Sequence, residues 1–280
     1  NSKGFNRQCN ELKKFFTKEF FSNNKHAGYE CHDPIFVVGL PRSGSTLVEQ
    51  ILSSHSKVEA TTELQNIVAL SRKIANTDIV NSKSEYPSAI KFMSSDKIRN
   101  MGKLYIENTM TQRVLSKEFF IDKMPNNFVH IGLIKLILPN AKIIDIRRNP
   151  MDCCFSCYKQ LFGTGQGFTY SLRRIGNYYL DYLDIMDHWN KVLPGKIHSI
   201  KYEDLIENTE YEIRELLSFC NLDFEKSCLD FYKNKRSVRT PSSEQVRQPI
   251  YKSSYLHWKN FEQYLIELKN MFMSNGVGVD

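Results

Sequence analysis

The sequence has no apolar run approaching the roughly 20 residues that a bilayer span needs. Its N-terminus also lacks the pattern of a secretory signal. Neither a membrane-spanning nor a secreted class is therefore expected. There is no initiating Met, as expected of a fragment of a longer chain. The seven Cys are an odd number, three of them crowded into Cys153, Cys154 and Cys157, and no CxxC pair with metal-ligand spacing appears elsewhere. Thiols so placed on one helix cannot pair with each other without distortion, so they read as buried and reduced, with no disulfide framework and no metal site. That predicts a cytoplasmic setting. Charge of one sign is also scarce, because the formal +7 is mild and scattered. It suits an anionic ligand without indicating nucleic acid.

What is present is organised around Pro34 to Leu52, PIFVVGLPRSGSTLVEQIL. The largely β-branched run Ile35–Val38, ending at Gly39, reads as a strand buried on both faces. A loop punctuated by Gly39, Pro41 and Gly44 follows, and the spacing of Leu47, Ile51 and Leu52 then turns helical. Backbone N–H groups of such a loop converge with the positive end of the helix dipole, which makes a seat for phosphate. Gly39 to Gly44 followed by Ser45 and Thr46 is nearly the GxxxxGK[ST] loop of nucleoside triphosphatases, but Ser45 stands where the Lys should be. The missing Lys argues against triphosphate hydrolysis while keeping a phosphate seat, with Arg42 as the replacement charge.

At 280 residues with 41% hydrophobic and 25% charged content, the chain can bury a sizeable core. The apolar spacing over residues 5–22 predicts one amphipathic helix, with a polar linker over 23–32. Residues 1–30 are thus expected as a helix and linker ahead of a domain over 31–280. Val58–Thr61 predicts a short strand, after which Glu63 is positioned to take a proton from an acceptor hydroxyl; His55 is the competing base or a helix cap. Residues 65–118 read as helices, and Phe119–Ile121 as a strand closed by Asp122, Lys123, Met124 and Pro125. A Lys there points into the crevice where open α/β sheets bind ligands. Pro125 introduces a helix.

Lys142–Ile146 predicts another strand, with Arg147, Arg148, Asn149 and Pro150 at its end. The helix begun by Pro150 carries Ser156, so Arg148 and Ser156 flank one strand-to-helix turn and make a second phosphate site. Two separate seats imply a nucleotide phosphorylated at two places. The Gly-bearing stretch 162–167 follows a helix and no strand, so it fails as a dinucleotide fingerprint and reads as a mobile loop or lid. A long helix carries Ile175 to Trp189. Lys196–Lys201 is a further strand, with Tyr202 at its carboxyl end offering an aromatic face. Two helices are expected within 208–235, a basic Pro-broken loop over 236–249, and a frayed tail over 274–280.

These residues together resemble the 3'-phosphoadenosine 5'-phosphosulfate (PAPS)-dependent sulfotransferases, above all bacterial domains that follow tetratricopeptide repeats. The chain is also similar to the tyrosylprotein sulfotransferases. The resemblance rests on PRSGST (Pro41–Thr46), on Arg148 and Ser156 at the family's spacing, on Glu63, and on Lys123 in DKMP. It implies an α/β, P-loop-like three-layer fold with a central mostly parallel sheet flanked by helices. It implies Arg42, Ser43, Gly44, Ser45 and Thr46 around the 5'-phosphosulfate, and Arg148 and Ser156 on the 3'-phosphate. Tyr202 would meet the adenine, and Ser242, Gln245 and Arg247 would come from a loop over the nucleotide. Glu63 would act as base, with Lys123 and Arg42 stabilising developing charge and Ser242 holding Lys123. PAPS is the implied cosubstrate, 3'-phosphoadenosine 5'-phosphate (PAP) the product, and no metal is required. The implied acceptor is a hydroxyl of a peptide tyrosine, a saccharide or a small molecule; an upstream tetratricopeptide module and a homodimer are further implied partners. His257, Gln160 and Ala60 depart from the tyrosylprotein pattern, which leaves the acceptor open. Two other classes stand beside this reading: a P-loop small-molecule kinase, and a module that binds an adenine nucleotide without turnover.

Overall fold

The computed structural model describes residues 2–75, 86–162, 165–238, 240, 242–250 and 256–279. Five strands form one sheet among them: β1 (Pro34–Gly39), β2 (Val58–Ala60), β3 (Phe119–Lys123), β4 (Lys142–Arg147) and β5 (Ile197–Lys201), in the order β2-β3-β1-β4-β5. Every neighbouring pair is parallel, with Ile35 opposite Ile121 on one side and Lys142 on the other. The expected mostly parallel sheet is thus wholly parallel. Its carboxyl ends all open on one edge, on either side of the central β1, from which the chain runs first to β2 and β3 and then to β4 and β5. Ligands of open α/β sheets bind at such a reversal.

The period-2 alternation of β1 divides the core. Ile35 and Val37 enter one apolar cluster with Val48, Ile51 and Leu52 of the helix Ser45–Ser53 and Ile213 and Leu216 of the helix Thr209–Phe219. Phe36 and Val38 enter the other, against Tyr182, Met186 and Trp189 of the helix Leu172–Val192. Because both faces are covered, the strand sequences are apolar throughout rather than alternating with polar residues. None of the described helices is long and apolar enough to cross a membrane.

Two expectations need correction. Residues 5–22 do not form one helix: Ser2–Phe15 and Lys18–Asn23 are separate, and the second starts where the Thr17 hydroxyl accepts from the Phe20 N–H. The polar cap won over the apolar period. The break turns Phe16 fully inward against Trp189, with the ring centroids 5.7 Å apart. The tail is not frayed either. Val279 is buried and its carbonyl accepts from Asn149 Nδ2 at 3.2 Å, tying the chain end to the turn after β4. Asp280 lies outside the described residues.

Candidate active site

Each strand delivers one group to the same edge of the sheet. After β1, the chain turns at Gly39 (φ 145°), Arg42 (φ 67°) and Gly44 (φ 110°) before the helix begins at Ser45. Only glycine takes such backbone angles without strain, so a non-glycine at φ 67° must be held there. The holding comes from below: the thiols of Cys153 and Cys157 donate to the Pro41 carbonyl at 3.5 and 3.0 Å. All seven cysteines are free thiols. Gly44 has a second constraint, since a Cβ on it would lie 2.7 Å from Tyr202 Cδ2. The bare backbone therefore approaches the tyrosine ring at the end of β5.

The two phosphate seats expected from the sequence are adjacent and share Arg42. Its Nε donates to Ser156 Oγ at 3.0 Å and its Nη1 to Ser242 Oγ at 2.5 Å. Arg148 donates to the Arg42 carbonyl at 3.5 Å, sits 4.0 Å from Asp152, and lies over the Tyr202 ring at 4.8 Å. Cations crowd here. Burial, with the neighbouring charges of Arg42 and Arg148, lowers the pKa of Lys159. Burial chiefly, together with the Arg148 charge, lowers that of Arg42. Two arginines and a lysine gathered in this way, beside a helix N-terminus, suit a polyanion. The hydroxyl of Ser43, buried in the loop, has no hydrogen-bond partner among the described residues. A buried orphan of this kind in an anion loop fits a phosphate oxygen, which would satisfy it.

On the other side of the loop, Lys123 at the end of β3 is 3% exposed and donates to Glu63 Oε1 at 2.6 Å; the Glu63 side chain is 48% exposed. The pair thus has a buried ammonium and an open carboxylate, which is the arrangement needed to meet an incoming hydroxyl. Both groups line one cavity with Arg42, Ser45, Thr46 and Ser242. A second cavity, on the β5 side, is lined by Arg42, Ser45, Thr46, Tyr202, Ser242 and Gln245. Apart from Ser43, whose buried hydroxyl lies within the loop, and Arg148 and Ser156, attached through Arg42, the predicted residues around these cavities are contiguous.

Three predicted positions fall differently. Ser242 was expected to hold Lys123, but its hydroxyl accepts from Arg42, while Arg236, Ser237, Val238 and Thr240 earlier in that loop line the cavity of Lys123. Arg247 is exposed, lines neither cavity, and donates to the Arg236 carbonyl at 3.0 Å. His55 is buried and pairs with the Asp223 carbonyl at 3.0 Å, away from the edge, so the competing base is a structural residue. Of the expected lid over 162–167, Phe162 and Gln166 line the Glu63 cavity, while Gly163 lies outside the described residues.

Sequence reasoning missed Thr240, which meets Thr46 hydroxyl to hydroxyl at 3.2 Å and lines the Glu63 cavity. It also missed a staple between the loop helix and the strap over 236–249. Gln50 Oε1 accepts from Arg236 Nε at 2.7 Å, and Glu49 sits 3.2 Å from the same guanidinium. Burial raises the pKa of Glu49, opposed by Lys123 and Arg236. A Glu and a Gln inside a helix sequence give no signal that they face inward.

The sulfotransferase family model matches residues 34–226. An uncharacterized protein of Aquifex aeolicus (strain VF5) is 40% identical over 257 residues, covering 89% of this chain and 33% of that protein, so the chain spans about a third of the length of that curated relative. The fold is similar to the sulfotransferase domain of the Synechococcus PCC 7002 olefin synthase (TM-score 0.59, 16% identity, 88% of this chain and 96% of that one). It is equally similar to the sulfotransferase domain from the curacin biosynthetic pathway (0.59, 19%, 89% and 99%). A mouse sulfotransferase, SULT7A1, complexed with PAP follows at 0.51 and 15%, over 89% and 88% of the two chains. With a family match across both anion seats and the Glu63–Lys123 pair, and the same fold in solved relatives, the chain belongs to the sulfotransferase family.

Proposed function

We propose that this domain transfers a sulfonate group from PAPS to a hydroxyl acceptor, using Glu63 as base. The observation that carries the reading is the placement of two anion seats, joined through Arg42, beside a buried Lys123 that is ion-paired to an exposed Glu63. The loop Pro41–Thr46 holds the 5'-phosphosulfate, with Ser43 Oγ gaining its partner, and Arg148 and Ser156 hold the 3'-phosphate. The Tyr202 ring packs against the adenine. Glu63 accepts the proton of the acceptor hydroxyl as its oxygen forms a bond to sulfur. The sulfur–oxygen bond to the 5'-phosphate breaks in line, leaving PAP, a sulfate ester and one proton on Glu63. Lys123 and Arg42 neutralise charge that grows on the bridging and sulfuryl oxygens, a task for fixed cations in a sheltered site.

The P-loop kinase and the non-catalytic module are the disfavoured readings. The Ser at position 45 removes the cation a kinase would use on a terminal phosphate, and the family match spans Arg42, Glu63, Lys123, Arg148, Ser156 and Tyr202. The test is transfer of label from [35S]PAPS to a panel of hydroxyl acceptors. Glu63→Gln should lower kcat by about 10²–10⁴-fold, the usual worth of a positioned base, with the PAP Kd changed less than about threefold. Unaltered turnover in Glu63→Gln would remove the base from the mechanism.

A further inference from the structure

The site has a way out that the nucleotide does not use. The cavity between the loop and the Glu63–Lys123 pair, about 200 Å³, shares Glu63, Lys123 and Thr240 with a second of about 620 Å³. That one in turn shares Ala60 and Arg236 with a third of about 520 Å³ along the free edge of β2. Three cavities in series make a groove that starts at the base and runs along the sheet edge, longer than a small alcohol needs.

The groove is rich in hydrogen-bonding groups. Among the described residues lining its two outer cavities there is no aromatic ring; neutral hydrogen-bonding groups such as Thr61, Thr62, Thr111, Gln112 and Asn234 are the largest class, beside charged residues and aliphatic ones. Its charges are already held. Arg236 pairs with Glu49 at 3.2 Å, Lys233 with Asp230 at 2.9 Å, and Glu59 accepts from the Leu115 and Lys117 N–H groups at 2.8 and 3.1 Å. The lining offers aliphatic faces, Val58, Val114, Leu115 and Val238, but no ring to stack on, and each cation among its described residues is already paired or hydrogen-bonded. The β2 edge is also closed to an added peptide strand, because Lys117 Nζ occupies the outward carbonyl of Val58 at 3.1 Å and that of His55 at 3.2 Å. A neutral chain carrying many hydroxyls, each able to donate and accept, matches what remains.

Resting on the sulfotransferase reading above, we infer that the groove from Glu63 to Lys117 is the acceptor site and that it takes an extended neutral saccharide, not a tyrosyl peptide or a phenol. The test uses [35S]PAPS with malto-, cello- and chito-oligosaccharides of two to six sugars, a tyrosine-containing peptide and 4-nitrophenol. Saccharides should be the best acceptors, with kcat/KM at least tenfold higher for hexasaccharide than for disaccharide in at least one series. Gln112→Trp and Thr62→Trp, both at exposed positions, should each abolish that gain while leaving the PAP Kd, measured by calorimetry, within twofold. Preferred transfer to the peptide or to 4-nitrophenol overturns the inference. So does a length dependence that survives both Trp variants, or PAP binding with every saccharide inert. Loss of PAP binding in the wild-type protein would instead overturn the sulfotransferase reading and this inference with it.

Discussion

The two halves of the active edge are built differently. The nucleotide half is backbone: a strand, a turn at three positive φ angles and a helix start, with side chains from β4 and β5 close behind. The acceptor half is side chain: Glu63 after β2, Lys123 at the end of β3, and walls from Thr111, Gln112, Val114, Arg236, Ser237, Val238 and Thr240. Backbone seats demand particular residues at fixed short spacing and so leave a motif. A groove assembled from four separated segments demands only compatible surfaces. The first half should accordingly be intolerant of single substitutions, and the second should tolerate many outside the Glu63–Lys123 pair.

The sharpest way to break that comparison lies at its seam. Lys123→Ala removes a buried cation from the acceptor half, yet its effect should appear in kcat, falling about 10²–10³-fold as for loss of an oxyanion-stabilising donor, with PAP affinity little changed. A large loss of PAP affinity instead would assign Lys123 to the nucleotide half. Gly44→Ala tests the backbone half. Its methyl would meet the Tyr202 ring at 2.7 Å and its φ of 110° is closed to alanine, so binding of PAP should weaken and the thermal midpoint fall, by about 1–3 kcal/mol of strain. Retention of both would mean that the loop is not held as described.

A further expected effect, on stability alone, is a matter of pH. Asp122, beside Lys123, is fully buried with Tyr105 donating to it at 2.7 Å, and burial pushes its pKa up to about 7. An acid whose folded pKa lies above its unfolded value near 4 binds more protons when folded, so stability falls as pH rises from about 4 to 7, by at most about 1.4 kcal/mol per pH unit. Asp122→Asn should flatten that slope in urea titrations at pH 5, 6 and 7. An unchanged slope would show that Asp122 stays ionised.

Legibility followed the same division. PIFVVG and KIIDI announced two buried strands, and the loop spacing announced the seat. Tyr202, Arg148, Glu63 and Lys123 could be placed because each sits at a strand end, where position in a parallel sheet fixes direction. Thr240, Glu49 and the Cys153 and Cys157 support under Pro41 were not legible, since their partners are distant in sequence. The helix break at Thr17 was hidden because the phenylalanines on both sides keep helical spacing across it. The docked tail was missed because its two apolar residues, Val277 and Val279, are interleaved with Gly276 and Gly278.

The account stands most directly on two anion seats gripping one nucleotide, and calorimetric titration with PAP and with adenosine 5'-phosphate measures it. Wild-type protein should bind PAP at least about 100-fold more tightly, roughly 2.7 kcal/mol for the 3'-phosphate, and Arg148→Ala should erase most of that preference. Equal affinity for the two nucleotides, or a preference untouched in Arg148→Ala, would contradict it.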